Sequence, residues 1–385
     1  MQIKFAKPDI TDSERRMMNN LLLSIQNGTE CSLTHGKQSE LFGEEFKKYI
    51  DPINKFPNYV CVPVSSCMAA LHLSYLCLGI GKGDEVIVPA MSHVATAHAV
   101  EHVGATPVFV DCDYDGNIDY SLIEKEITRK TKAISIVHFL GTPCNMYKIM
   151  QLCEAYGLYL VEDCALSIGT TYDPFLNRKI HVGLFGDFGC FSFYPCKTIT
   201  TGEGGMVVCK DIYLDKIKQF MQFGKRELLL WYDIYELGLN YRMDELSAVL
   251  GREQLRRLQE EDWVGQRKKN VADLANKIMY INDGCCIQQE FSKLGIYCLN
   301  VKFKTNFERD QNYYKLNEKG VQCSVYYPSP IPAFDYYRKK YGYQKVRYPR
   351  AEDTAYCTLA LPIGQHIGEK EIDYMVDVLF NKENK

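Results

Sequence analysis

Seven short β-branched runs between Tyr59 and Cys209 are mostly separated by helix-length stretches with apolar residues near helical spacing. This pattern predicts an α/β fold, with a large domain on a mostly parallel seven-stranded sheet covered by helices. Long helical patterns after about residue 210, and mixed strands and helices after about Tyr280, predict a second, smaller C-terminal α+β domain. A length of 385 residues fits two domains, because it exceeds what one hydrophobic core usually organises.

The strand candidates are, in order, "YVCVPV", "DEVIVPA", "TPVFVDC", "KAISIVHF", "LYLVED", "GCFSFY" and "GGMVVC". They are apolar on both faces, as strands buried under helices must be. Helical spacing falls at Met68–Leu78, Ser92–Val103 and Met146–Tyr156. Several strands end in loops rich in Ser, His or Asp, and ligands of such sheets sit at those carboxyl ends. Further on, "DIYLDKIKQFMQF" reads as a helix, and "MDELSAVLGREQLRRLQEEDWVGQRKKNVADLANKI" as one long bridging helix. The strands "IYCLNVKF" and "VQCSVYYP" then mix with the helices "ERDQNYYKLNEK" and "EIDYMVDVLF". The expected division is a large domain over 1–260, with an N-terminal arm over 1–50, and a small domain over 261–385. The tail "NKENK" reads as a frayed terminus.

Composition excludes several classes. Apolar residues make up 46% and the net charge is −3, so neither a nucleic acid nor an anionic membrane is an expected partner. No run of about 18 apolar residues occurs, and "MQIKFAKPDI" lacks the apolar core of a signal peptide. A cytoplasmic protein is expected. The 16 cysteines form no C-x-x-C pair and read as free, mostly buried thiols in a reducing compartment. His98 and His102 stand one helical turn apart, but nothing at finger-like spacing completes a site, so no metal is expected.

The chemistry concentrates around "GCFSFYPCKTITTGEGGMVVC". Lys197 follows a run too apolar for the surface and precedes a glycine-rich turn. A lysine amine against an apolar floor serves as a nucleophile or proton shuttle, the role of the lysine in pyridoxal phosphate (PLP) enzymes. Such a lysine needs a carboxylate for the pyridine nitrogen, backbone N–H donors for the phosphate, and a flat side chain against the ring. "LYLVEDCALSIG" ends a strand on Glu162 and Asp163, which must face opposite ways because strand side chains alternate. In "VPVSSCMAALHLSYLCLG" a strand, Ser65-Ser66 and a helix follow in turn, so the N–H groups of Cys67 and Met68 open that helix. His93 in "VPAMSHVATAHAV" falls in the first turn of the next helix.

These segments, in this order, resemble the DegT/StrS family of sugar aminotransferases, fold-type-I PLP enzymes, over nearly the whole chain. "ALHLSYLCLGIGKGDEVIVPAMSHVATAHAVEHVGATPVFVDCD" looks like the family's N-terminal signature. "TKAISIVHFLGTPCNM", "VEDCALSIGTTY", "GCFSFYPCKTITTGEGGMVVC" and "LGLNYRMDELSAVLGREQLRRL" look like its core motifs. The resemblance implies that Lys197 bonds to the cofactor and Asp163 pairs with the pyridine nitrogen. Ser192 and the amides of Cys67-Met68 would hold the phosphate, and His93 would stack on the ring. Asn240 would reach the phosphate of a neighbouring subunit, which implies a homodimer with shared active sites. Two positions depart from the family pattern. Cys67-Met68 replaces Gly-Thr, which removes a threonine hydroxyl contact, and Leu166 replaces a Gln or His that reaches the ring hydroxyl.

The implied reaction moves an amino group from L-glutamate to a nucleotide-linked 4-keto-6-deoxyhexose, on a UDP or dTDP carrier, giving a 4-amino-4,6-dideoxy sugar. Tyr241 in "NYRM" looks like the C-4 enzymes. The competing readings are a C-3 keto-sugar aminotransferase, a PLP-dependent sugar 3-dehydratase, and a binding protein that keeps the fold without chemistry. The dehydratases carry histidine in place of Lys197. An NAD-binding Rossmann protein fails because no G-x-G-x-x-G follows the first strand.

Overall fold

The computed structural model describes residues 1–29, 32–34, 36–173, 179–227, 231–281, 285–289 and 294–380. The "NKENK" tail lies outside them. Helices α1 (Asp12–Gln26) and α2 (Lys37–Ile50) precede the alternating region. There follow β1 (Tyr59–Val64), α3 (Cys67–Cys77), β2 (Glu85–Pro89), α4 (Val94–His102), β3 (Thr106–Val110), α5 (Tyr120–Ile123), β4 (Thr131–Val137), α6 (Met146–Tyr156) and β5 (Tyr159–Asp163). A two-stranded ribbon, β6 (Thr171–Tyr172) with β7 (Ile180–His181), leads into β8 (Phe188–Ser192) and β9 (Gly205–Lys210).

The expected sheet forms, seven strands in the order β1-β9-β8-β5-β4-β2-β3. Strands β8, β5, β4, β2 and β3 pair in parallel. Only β9 runs against its neighbours β1 and β8. The chain between β8 and β9 has no crossover helix, and a direct loop can only join antiparallel strands. Lys197 sits on that loop. Alternation divides the faces. Val207 and Cys209 join the core under α3, whereas Met206 and Val208 join Phe42, Phe46 and Leu255 on the opposite face.

Beyond the sheet come α7 (Leu214–Met221), the ribbon β10 (Lys225–Glu227) with β11 (Tyr232–Ile234), α8 (Glu245–Glu260) and α9 (Trp263–Ile281). The single bridging helix expected here is two. Asp262 takes a left-handed backbone, φ 48°, and its carboxylate accepts the Gly265 N–H at 3.1 Å, capping the next helix. Trp263 turns into the core beside Leu258, which is why the apolar spacing runs on across the break.

The C-terminal part holds an antiparallel sheet of β12 (Cys285–Ile287), β13 (Cys298–Phe303) and β14 (Thr358–Pro362). Around it lie α10 (Asn306–Glu318), α11 (Asp335–Tyr341), α12 (Pro349–Cys357) and α13 (Glu369–Phe380). Leu274, Leu299, Val301, Leu316, Leu361 and Met375 build its core, and Ile3 from the N-terminus joins it. The strand expected at "VQCSVYYP" does not form. Val321 and Ser324 make isolated bridges to Ile3 and Ala360, and Pro328 and Pro330 cannot donate to a ladder.

The 15 described cysteines are all free and most are buried, as expected. The His98/His102 pair is directed apart: His98 pairs through Nδ1 with the Tyr337 hydroxyl at 2.7 Å, while His102 faces the His72 ring. Among the described residues His138, Glu162 and Cys164 bring potential metal-ligand atoms together. The lone pairs of His138 and Glu162 are committed. His138 Nδ1 accepts the Cys144 N–H, so its Nε2–H donates to Glu162 Oε2 at 3.1 Å. Glu162 also accepts the N–H groups of Gly183, Phe185 and Gly186.

Candidate active site

The carboxyl ends of β1, β2, β5 and β8 lie at one edge of the sheet, and the expected residues gather there. The two acids of β5 separate as alternation requires. Glu162 is consumed by the backbone donors just described. Asp163 faces the other way and is 4% exposed. Its Oδ2 accepts from Thr96 Oγ1 at 2.9 Å and its Oδ1 from the Ala165 N–H at 3.1 Å. Ser92 Oγ lies 2.9 Å from Thr96 Oγ1 and extends the network.

The start of α3 faces the same space. Ser66 is its N-cap, with Oγ accepting the Ala69 N–H at 3.1 Å. Cys67 and Met68 are the first two helical residues, whose N–H groups have no intrahelical acceptor. Cys67 Sγ lies 3.4 Å from the Cys190 carbonyl and 3.8 Å from Asp163 Oδ1. Burial pushes this thiol well above its ordinary pKa, and the Asp163 charge adds to the rise, so it stays protonated.

Ser192 ends β8 and stands opposite Gly205, the first residue of β9. A Cβ on Gly205 would lie 2.5 Å from the Ser66 carbonyl carbon and 2.7 Å from the Cys67 nitrogen. Only glycine permits that approach, which sets the Ser192 hydroxyl beside the helix N-terminus. Hydrogen bonds from Lys197 N to Tyr194 O (2.9 Å) and from Thr200 Oγ1 to Phe193 O (3.0 Å) shape the intervening loop. The half-buried Lys197 extends Nζ to 5.4 Å from the Tyr297 ring centroid.

His93 is the N-cap of α4, not a first-turn residue: its Nδ1 accepts the Ala95 N–H at 3.2 Å, which requires extended backbone. The surrounding protein lowers its pKa. The Asp163 charge opposes that shift and the Lys197 charge adds to it, so both groups act on one ring. Leu166 is buried in the main core. Asn240 is exposed and pairs by backbone with Gln222, while its neighbour Tyr241 accepts the Ser65 N–H at 2.8 Å. Its side chain makes no hydrogen bond to the described residues of its own chain, so the structure brings together Lys197, Asp163, Ser192, Cys67, Met68 and His93 without it.

Sequence reasoning missed Thr96 and Tyr297. Thr96 stands three residues past His93, on the same side of the helix, and that spacing could have found it. Tyr297 arrives from β13's approach, a hundred residues beyond Lys197, and no local pattern announces it.

A buried acid, a lysine, a hydroxyl and an open helix N-terminus at one sheet edge fit a pyridoxal phosphate: a carboxylate for its ring nitrogen, N–H groups for its phosphate, an amine for its aldehyde. Fold and site thus define a PLP-dependent aminotransferase of the fold-type-I class.

The chain matches the model of the DegT/DnrJ/EryC1/StrS aminotransferase family over residues 13–380 and belongs to that family. It is 34% identical to the GDP-perosamine synthase of Escherichia coli O157:H7 over 377 residues, 96% of each chain. It is 36% identical to the UDP-N-acetyl-3-dehydro-alpha-D-glucosamine 3-aminotransferase of Acidithiobacillus ferrooxidans over 318 residues, 80% of each. The putative sugar aminotransferase Spr1654 of Streptococcus pneumoniae, solved in PLP, PMP and apo forms, superimposes with a TM-score of 0.86 at 26% identity. The PMP-form comparison covers 98% of both chains. The chain is a sugar aminotransferase of this family, with pyridoxal phosphate as cofactor.

Proposed function

We propose that the protein transfers the amino group of L-glutamate to a nucleotide-linked 4-keto-6-deoxyhexose, giving a 4-amino-4,6-dideoxy sugar. The observation that carries this reading is the placement of Lys197 and Asp163 at one sheet edge, with the charges of both acting on His93. The perosamine synthase relative supports C-4 as the position aminated.

When bound, pyridoxal phosphate supplies the electron sink that lets the amino-bearing carbon give up its proton. Lys197 would hold it covalently, and the free Lys197 amine would carry that proton between the substrate carbon and the cofactor C4′ atom. The Asp163 carboxylate, held by Thr96 and Ala165, keeps the ring nitrogen protonated. The amides of Cys67 and Met68 and the Ser192 hydroxyl would hold the phosphate, and His93 would offer its flat ring to the cofactor. Asn240 completes the phosphate site of a partner subunit in a homodimer. The exposed Trp231 and Leu237 beside the β10–β11 ribbon support such an assembly. A cytoplasmic location agrees with the buried free thiols. Among the described residues no helix is long and apolar enough to cross a membrane.

Two points stay open to one experiment. The carrier was expected to be UDP or dTDP, whereas the perosamine synthases are named for GDP. The 3-aminotransferase relative favours C-3 amination as the second reading. Purified protein should be yellow, and borohydride should fix the cofactor on Lys197. Glutamate with UDP-, dTDP- and GDP-linked keto-sugars should then yield an amine that NMR places on C-4. A colourless chain that takes up no pyridoxal phosphate would sink this reading, and nitrogen on C-3 would replace it with the second.

A further inference from the structure

Lys197 does not point into open space. The ring under its Nζ belongs to Tyr297, which is 4% exposed and held from several directions. The Tyr297 N–H donates to the Leu140 carbonyl at 3.2 Å. Arg267 Nη1 donates to the carbonyls of Ile296 and Tyr297 at 3.3 and 3.4 Å. The Tyr297 hydroxyl donates to Cys196 Sγ at 3.2 Å and lies 3.0 Å from the Tyr326 hydroxyl. Phe5 and Tyr326 pack edge-on against the ring. Arg267 is itself buried and finds carbonyls and the Gln365 amide oxygen as partners, with no acid hydrogen-bonded to it among the described residues. A buried cation is therefore spent on the backbone that carries this ring.

Other titratable groups act on the same amine. Cys67 reaches it from α3, His93 from α4, Cys298 from β13, and Asp163 ends β5 beside Cys67. Burial keeps both thiols protonated, and the His93 pKa is lowered by the surrounding protein and by the Lys197 charge. Asp163 is engaged by Thr96 and Ala165 and is wanted for the cofactor's ring nitrogen. An ammonium within about 6 Å of a ring centroid is drawn to the ring's negative face.

We propose that Tyr297 is a positioning residue for Lys197: its fixed ring face docks the lysine ammonium whenever that amine is not bonded to cofactor, and so keeps it from pairing with Asp163. The inference rests on the role given to Lys197 above and adds the group that holds it between steps.

The test is the pH profile of reductive methylation at Lys197, read by peptide mass spectrometry on the full chain. It is run cofactor-free and loaded with pyridoxamine phosphate, two states in which the amine is unbound. Tyr297→Leu should move the labelling midpoint down by about half to one pH unit, so that labelling below the midpoint is about three- to tenfold faster. Tyr297→Phe keeps the face and should reproduce the wild-type profile. Pentafluorophenylalanine at 297 keeps the volume and reverses the charge of the face, and should shift the profile as leucine does. This settles the matter if the leucine variant fails to fold. Superimposable wild-type and pentafluoro profiles overturn the proposal, as does a Tyr297→Phe shift as large as that of leucine. Borohydride trapping on the same wild-type sample reports cofactor attachment separately. Its failure would end the aminotransferase reading while the cofactor-free labelling profile still reports on Tyr297.

Discussion

Gly205 and Ser66 are in contact backbone to backbone: a Cβ on the glycine would fall 2.5 Å from the serine carbonyl carbon. The strand after the Lys197 loop thereby presses the start of α3 against the sheet end, and Ser192 stands directly across the ladder. A methyl group there can be accommodated only by moving the helix start or the strand. Gly205→Ala should cost about 1–3 kcal/mol of stability. It should also weaken pyridoxal phosphate binding, because the Cys67 and Met68 amides move away from Ser192. Thermal unfolding and a cofactor titration measure the two effects. An alanine variant with unchanged cofactor affinity would contradict the placement of the phosphate between these groups.

Glu162 and Asp163 are neighbours with opposite predicted phenotypes. Glu162 accepts three backbone N–H groups and the His138 Nε2–H. Glu162→Gln turns a donor against those donors and should destabilise by about 3 kcal/mol. Asp163→Asn keeps the Ala165 N–H bond at its one oxygen and offers its amide N–H to the Thr96 oxygen, but no longer holds a proton on a ring nitrogen. It should fold normally, bind cofactor, and lose about a hundred- to a thousandfold in single-turnover transamination. Denaturant titration beside stopped-flow spectroscopy separates them; the same phenotype in both variants would refute the division of labour.

Much of this was legible before any coordinates. Runs apolar on both faces announced the parallel sheet, because only buried strands dispense with alternation. The positions of Asp163 at a strand end, Ser66 before a helix and Lys197 on the loop past an apolar strand followed from the pattern of runs. Three features were not legible, for different reasons. The break at Asp262 hides because the apolar spacing resumes in register on its far side. "VQCSVYYP" has strand propensity, but only Ser324 finds a two-way partner, in Ala360. Thr96 and Tyr297 matter through the tertiary neighbours Asp163 and Lys197, and a local pattern carries no record of such contacts.

His181 supplies a pH dependence. It donates Nδ1–H to the Val182 carbonyl and accepts the Gly169 N–H at Nε2, 2.8 Å away, so only the neutral ring fits. Burial lowers its pKa to about 4. The unfolded chain binds this proton near pH 6.5 and the folded one only near 4, so its stability contribution is whole above 6.5 and is lost as pH falls towards 4. At pH 5 the loss is about 2 kcal/mol. Asp113, raised to about 7 by burial and by Asp115, acts in the opposite direction over the same range. The informative quantity is therefore a difference. His181→Gln should lose about 2 kcal/mol less than the wild type between pH 7 and 5 in urea titrations. Equal losses would show that His181 takes up its proton without cost.

The ribbon β10–β11 and the chain after it test the proposed homodimer. Trp231 is 62% and Leu237 92% exposed on the single chain, and Asn240 follows three residues after Leu237. Large apolar side chains left in water on either side of β11 mark a surface that another chain covers. If that chain is a second copy, these residues also carry Asn240 to the partner's phosphate site. Trp231→Asp combined with Leu237→Asp should then give monomers in sedimentation experiments and weaken cofactor retention, although neither residue contacts cofactor in the proposed site. Asn240→Ala should weaken retention and leave the dimer intact. A wild-type chain that sediments as a monomer and retains cofactor would show that each site is complete within one subunit, and would return Asn240 to the surface.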